Sequence, residues 1–160
     1  MSFDASHVMN ALLERGFRES RHDLSPMKAQ KMLFFTHGWH LAITGEPAIN
    51  KAFEVWPYGP VVSSIYQNLK VFGSNNVNRY ISEYDPATKK NVAYVVNRNC
   101  TLLYDSIDIV WEKYVGISAV QLSAMTHEAD SPWDQAKRAN LVEIPNQVIQ
   151  EYFVGLARGK

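Results

Sequence analysis

Residues 56–62, which read WPYGPVV, restrict the fold of this chain more than any other part of its sequence. Each proline fixes its own φ angle and keeps the residue before it out of the helical region, so Trp56 and Gly59 should be extended or turn-like. Pro60 suits the first position of a helix, and the sequence predicts that one begins there. A rigid turn that carries two large rings is suited either to a corner of the core or to a recognition surface.

Composition places the chain among ordinary globular domains. Of its 160 residues, 46% are hydrophobic and 20% are charged, which argues against disorder. The length predicts a single domain over residues 1–160. Basic and acidic residues number 16 each, so the net charge gives no indication of a nucleic acid partner. Cys100 is the only cysteine, which excludes an internal disulfide and favours a reducing cytoplasm.

No segment of the sequence is typical of export or of a membrane span. The first six residues lack a basic segment followed by an apolar run, so they do not resemble a signal peptide. Charged and polar residues interrupt the longest apolar stretches well short of the roughly 20 residues that a bilayer requires. These residues include Lys28, Lys31, His37 and His40. We therefore expect a cytoplasmic protein that does not act at a membrane.

Apolar residues at helical spacing predict two helices in the N-terminal part of the chain. The first covers residues 4–15, and Gly16 is expected to end it. The second has Ser25 as its N-cap and Pro26 at its first position, and it should stop at Gly45. This second helix is apolar over most of its circumference, which predicts that it lies at the centre of the core.

Two regions are typical of β structure. Residues 53–56 alternate in polarity and predict an edge strand that leads into the WPYGP segment. Residues 79–84 and 91–96 flank a polar turn and predict a hairpin, which should be the main β element.

Further helices are predicted along the rest of the chain by apolar spacing and by capping residues. They are expected from Pro60 to Gly73, from Thr101 to Gly116, from Ser118, over residues 132–139 and from Pro145. The predicted fold class is therefore mainly α (α+β), a compact single-domain fold of about six to seven helices with a small β-hairpin.

Candidate catalytic chemistry is sparse. His37 and His40 are spaced so that both imidazoles lie on one helix face, but no nearby Cys or Glu completes a zinc site. His127 falls at a predicted helix end, where a histidine caps carbonyl groups. We therefore predict no catalytic residue, no metal and no cofactor. The alternative that stays open is a small-ligand or metal-binding enzyme that uses His37, His40 or His127.

Large aromatic residues are the stronger functional signal. Trp39, Trp56, Tyr58, Trp111 and Trp133 exceed what a small helical core requires, and such residues often anchor interfaces. Each of them can equally be part of the core, because large aromatic side chains are usually buried. An aromatic-lined binding cleft is therefore one of two interpretations.

Several segments together resemble the Panacea domain, the SocA-like antitoxin family that includes phage-associated GepA-like proteins. Any one of these segments is a weak match, but six of them in one order are specific. The matching segments are LSPMKAQKMLFF at 24–35, GWHLA at 38–42, GEP at 45–47, WPYGPVV at 56–62, LSAMTH at 122–127 and SPW at 131–133.

The resemblance implies an antitoxin without enzymatic activity that neutralises a cognate toxin by direct protein contact in a toxin–antitoxin or phage-defence system, such as one carried by a prophage. Delivery of the toxin to a cellular protease is an alternative to simple masking. The signature residues that we carry over as candidate partner-binding residues are Trp39, Trp56, Tyr58, His127 and Trp133. Within WPYGP, we expect Trp56 to be largely buried and Tyr58 to face a groove or a partner.

Overall fold

Helices account for most of the regular structure in residues 2–159, which is the part of the chain that the computed structural model describes. The seven α-helices of this part are α1 (Ala5–Arg18), α2 (Pro26–Thr44), α3 (Ser63–Leu69), α4 (Thr101–Tyr114), α5 (Ala119–Thr126), α6 (Pro132–Arg138) and α7 (Asn146–Ala157). Its short strands are β1 (Phe53–Trp56), β2 (Gly59–Val61), β3 (Glu83–Asp85), β4 (Lys90–Val92) and β5 (Glu143–Ile144). The predicted class, mainly α with a small β part, is confirmed.

Helix α2 is the central element, as its sequence predicts. The Ser25 hydroxyl accepts a hydrogen bond from the Lys28 amide at the N-terminus, and Gly45 ends the helix with a φ of 77°. Every residue from Lys28 to Leu41 is buried, because α1, α4, α5 and α7 pack around it. A Cβ atom on Gly38 would lie 2.1 Å from the Phe153 ring, so this glycine allows α7 to pack closely against α2.

Helix α1 continues to Arg18, whereas we predicted that it ends at Gly16. Gly16 is buried inside the helix, where a Cβ atom would lie 2.4 Å from Leu24 Cδ1. The glycine is therefore required for close packing, and Ser20 adopts the positive φ that follows the helix.

We predicted that β1 is an edge strand, and this was wrong. It is the middle strand of a three-stranded antiparallel sheet with the order β2-β1-β5. The third strand comes from a distant part of the chain, and Phe53 pairs with Ile144 with both side chains buried. This sheet is larger than the hairpin of β3 and β4, which is present but shorter than predicted and was wrongly expected to be the main β element.

We predicted that a helix begins at Pro60, and this was wrong. Pro60 lies in β2, and α3 begins at Ser63. Trp56 pairs with Gly59, so Pro57 and Tyr58 form the two-residue connection of a hairpin. Strand β2 is at the edge of its sheet, where a residue without a backbone N–H is tolerated. The fixed φ of Pro60 thus serves a strand rather than a helix.

The later helices begin where their capping residues predict. Ser118 accepts a hydrogen bond from the Gln121 amide at the start of α5, and Ser131 accepts one from the Asp134 amide at the start of α6. Within residues 2–159, no helix combines the length and the apolar character that crossing a membrane requires.

Candidate partner-binding site

Residues 56–60, which we call the aromatic turn, sit directly on α2 and α5. Gly59 has a φ of 116°, a conformation that strains any residue with a side chain. A Cβ atom there would also lie 2.6 Å from Thr126 Oγ1 and 2.8 Å from Lys31 Cε. Only glycine therefore fits this position, where the turn lies close to both helices.

Three consecutive carbonyl groups of the aromatic turn accept hydrogen bonds from side chains of α5, α6 and the link between them. The donors are Trp133 Nε1 to the Trp56 oxygen at 2.8 Å, His127 Nε2 to the Pro57 oxygen at 2.8 Å and Ser123 Oγ to the Tyr58 oxygen at 2.7 Å. Backbone carbonyls in a connecting loop usually face solvent, so this arrangement fixes the position of the whole turn from behind.

His127 links two backbone segments through its two ring nitrogens. Nε2 lies 2.8 Å from the Pro57 oxygen, and Nδ1 lies 2.6 Å from the Ser123 oxygen. Carbonyl oxygens only accept hydrogen bonds, so a ring nitrogen bonds to either oxygen only when it carries a proton. The ring also packs on Trp133, with 4.1 Å between ring centroids. His127 thus does cap α5, as its place in the sequence predicts, and it holds the turn as well.

Helix α2 holds the far end of the turn. Lys31 Nζ donates a hydrogen bond to the Pro60 oxygen at 3.2 Å. The Gln30 amide exchanges two hydrogen bonds with the backbone of Val62, at 3.1 and 3.2 Å. The turn and the strand after it are therefore anchored on both sides by side chains.

Of the five candidate residues, four gather at the aromatic turn and one does not. Trp133 is buried, His127 and Trp56 are partly buried, and Tyr58 is 68% exposed at the tip. Trp56 is less exposed than Tyr58, but it is only partly buried, whereas we expected it to be largely buried. Trp39 lies in the core, where its Nε1 donates to the Tyr114 hydroxyl at 2.9 Å.

A small pocket of about 170 Å³ adjoins the aromatic turn on the side of α2 and α3. Its walls are mainly apolar and aromatic, with Trp56, Tyr58, Tyr66, Met27, Val61 and Leu69 among the lining residues. Trp56 and Tyr66 pack on one another with 4.9 Å between ring centroids. A cavity of this size holds one aromatic or branched aliphatic group, since an engineered apolar cavity of about 150 Å³ binds benzene.

Lys31 also lines this pocket, although its side chain is almost completely buried at 1% exposure. Burial lowers the pKa of its amine to about 8. The Pro60 oxygen is its hydrogen-bond partner, and no carboxylate within residues 2–159 forms an ion pair with it. The pocket therefore has a cationic group that lacks a counter-charge.

His37 and His40 are buried, and the ring of each forms hydrogen bonds with other residues of the protein. His37 Nε2 lies 2.8 Å from Asn146 Oδ1, while its Nδ1 accepts from the Ile49 amide at 3.4 Å. His40 Nδ1 lies 3.0 Å from the Ser106 hydroxyl. Burial lowers the pKa of His37 to about 4 and also lowers that of His40. In the described part of the chain, no three His, Cys, Asp or Glu residues lie close enough to hold a metal ion.

Sequence reasoning missed Lys31, Gln30 and Ser123 as parts of the site. All three fall within the blocks that carry the family resemblance, and Lys31, like Lys28, interrupts the apolar residues of a helix whose sequence predicts burial. That interruption was the available signal, because a lysine in a fully buried helix needs a partner or a function.

The fold and the site define a small, mainly helical domain in which all the signature residues except Trp39 lie at one turn. The chain matches the family model described as "Antitoxin SocA-like, Panacea domain" over residues 30–134, which is about two-thirds of its length. The chain therefore belongs to this antitoxin family.

A similar protein is Antitoxin SocA of Caulobacter vibrioides (strain NA1000 / CB15N). It is 29% identical over 133 residues, which are 83% of this chain and 70% of that protein. No solved structure matches the chain.

Proposed function

We propose that this protein is an antitoxin that neutralises one cognate toxin by direct binding, with the aromatic turn and the adjoining pocket in the interface. Tyr58 and Trp56 contact the toxin. Trp133 and His127 support that contact from behind through their hydrogen bonds to the turn, while Trp39 contributes to the core. The activity is binding rather than catalysis.

The observation that carries this proposal is a large exposed ring on a turn whose backbone is fixed. Tyr58 is 68% exposed, while its own carbonyl and those of the two residues before it accept hydrogen bonds from Ser123, His127 and Trp133. A ring presented on a fixed backbone loses little conformational entropy on binding, and Tyr and Trp are enriched among interface hot spots. The family of antitoxins to which the chain belongs supplies the class of partner.

Co-expression with the product of the neighbouring gene tests the proposal, with growth rescue and co-purification as readouts. Tyr58→Ala should weaken binding by at least about 2 kcal/mol, roughly a 30-fold loss of affinity, and leave the melting temperature unchanged. Tyr84→Ala is the matched control, because Tyr84 is 61% exposed on the β3–β4 hairpin. Equal affinities of the two variants would contradict a role of the aromatic turn in binding.

Masking and protease delivery are separated by the lifetime of the toxin in cells. Masking leaves the half-life of the toxin unchanged while growth is restored, and this is the result we expect. A half-life that shortens only when this protein is present would replace masking with delivery to a cellular protease.

A further inference from the structure

The pocket beside the aromatic turn combines an apolar, aromatic lining with a buried positive charge. It is large enough for one apolar side chain, at about 170 Å³, and three aromatic rings lie among its lining residues. It also includes Lys31, whose charge is buried and uncompensated within residues 2–159. An apolar ligand alone would fill the volume and leave this charge as it is.

A buried ammonium group with a single acceptor is unfavourable in the free protein. Lys31 Nζ offers three N–H donors, and the Pro60 oxygen takes one of them. Desolvation of an unpaired charge costs several kcal/mol, and an opposite charge brought within reach recovers part of that cost. The lysine is therefore arranged to gain from a ligand with a carboxylate more than from a neutral ligand.

The backbone of the turn argues for a side-chain carboxylate rather than a chain terminus. A terminal carboxylate is usually captured by a group of free backbone N–H donors. Pro57 and Pro60 remove two such donors from the aromatic turn, and Lys31 is a cationic side-chain donor among the lining residues. An Asp or Glu side chain next to an apolar residue matches this set of groups.

We propose that this pocket is a recognition site for an acidic–apolar residue pair in the partner protein, in which an aromatic or Leu side chain fills the cavity and a neighbouring Asp or Glu carboxylate pairs with Lys31. The inference rests on the proposed function for the identity of the partner as a toxin. The site itself is a property of this chain and is testable without the toxin.

The test is an NMR titration of the full-length, ¹⁵N-labelled protein with three dipeptides. Acetyl-Asp-Phe-amide carries a side-chain carboxylate, acetyl-Asn-Phe-amide carries none, and acetyl-Asn-Phe with a free C-terminus carries a terminal carboxylate. The resonances followed are the Trp56 indole N–H and the Tyr58 and Gly59 amides. We expect the first peptide to shift these signals saturably and to bind at least about tenfold more tightly than the other two.

Variants assign the preference to Lys31. Lys31→Met keeps the length of the side chain and removes its charge, so the three peptides should bind with equal affinity. Lys28→Met is the matched control, a buried lysine one turn away on α2, and it should keep the preference for the Asp peptide. The wild-type titration alone decides the question if a variant does not fold.

Several outcomes would overturn the site. They are equal binding of the Asp and Asn amide peptides, tighter binding of the free C-terminus, no shift at the aromatic turn at millimolar peptide, or an unchanged preference in Lys31→Met. A toxin that still co-purifies while the peptides fail overturns this site and leaves the proposed function standing. Peptides that bind while no toxin is captured overturn the proposed function and leave the site standing.

Discussion

Two lysines one turn apart on α2, Lys28 and Lys31, are buried to the same extent and have opposite surroundings. Lys28 is 2% exposed and Lys31 is 1% exposed. Lys28 Nζ lies 3.0 Å from Asp23 Oδ2 and also donates to the Val115 oxygen. Lys31 Nζ donates a hydrogen bond to the Pro60 oxygen, and no carboxylate within residues 2–159 forms an ion pair with it.

The difference separates a structural lysine from one that is set for binding. Lys28 connects the segment before α2 to the end of α4, and Arg21 and Lys28 together lower the pKa of Asp23 to about 2. Its charge is therefore compensated inside the protein. Lys31 lies under the aromatic turn and beside the pocket, where its charge weakens the free protein and favours an anionic ligand. A site of this kind gives up stability for recognition.

The largest expected effect comes from separating the aromatic turn from Lys31. Gly59→Ala introduces a Cβ atom at a φ of 116° and within 3 Å of Thr126 and Lys31. It should lower the free energy of unfolding by about 3 kcal/mol or more in a urea titration. Gly116→Ala is the control, because a Cβ atom there meets nothing within 4 Å, and its change should stay within about 0.5 kcal/mol. Similar values for the two variants would contradict the packing described for the turn.

The pH dependence of stability tests the unpaired charge itself. The pKa of Lys31 is about 8 in the folded protein and 10.5 as its ordinary value, so between these values the unfolded chain binds more protons. Stability should therefore rise from about pH 8 to pH 10.5, by up to about 3 kcal/mol, as the cost of burying the ammonium is relieved.

Other groups titrate in the same range, so the measured quantity is the difference between wild type and Lys31→Met across it. The gap in unfolding free energy between the two proteins should close as the pH rises. A constant gap would contradict this, because it would mean that Lys31 has the same pKa in the folded and the unfolded protein.

A smaller effect is expected on the paired side of the comparison. Lys28→Met removes the contact with Asp23 and the hydrogen bond to the Val115 oxygen, which also accepts from Arg21. Because Asp23 keeps Arg21 and is half-exposed, the loss should be about 1 kcal/mol. Measuring this loss at 0.1 and 1 M NaCl sharpens the assignment, since screening should reduce it. A stabilised Lys28→Met variant would remove the contrast between the two lysines.

Local signals in the sequence were sufficient for several of the helix boundaries. Ser25 with Pro26, Ser118 with Gln121, and Ser131 with Pro132 begin helices through contacts within one turn, so their sequence neighbours contain the needed information. Gly45 is similar at the end of α2. The prediction that Gly16 ends α1 was wrong because the role of this glycine is set by Leu24 and Trp111, which approach it from elsewhere in the fold.

The sheet and the site depend on contacts across long stretches of chain, and the sequence pattern does not contain these. The strand status of Pro60 follows from pairing with β1, and the middle position of β1 follows from β5, almost 90 residues later. The hydrogen bonds from Trp133, His127 and Ser123 to the aromatic turn join residues that are 65 to 77 positions apart. The signature residues could be identified, but their convergence on three carbonyl groups could not.

The central claim is that Lys31 is unpaired for the benefit of a partner, and Lys31→Met tests it most directly when stability and affinity are measured on the same sample. The variant alone should be more stable than wild type at pH 7 by about 1–3 kcal/mol, because a buried unpaired charge is replaced by an apolar chain of similar length. Its affinity for the co-expressed toxin should fall by at least about tenfold. A variant that is less stable than wild type, or that binds the toxin equally well, would contradict the account.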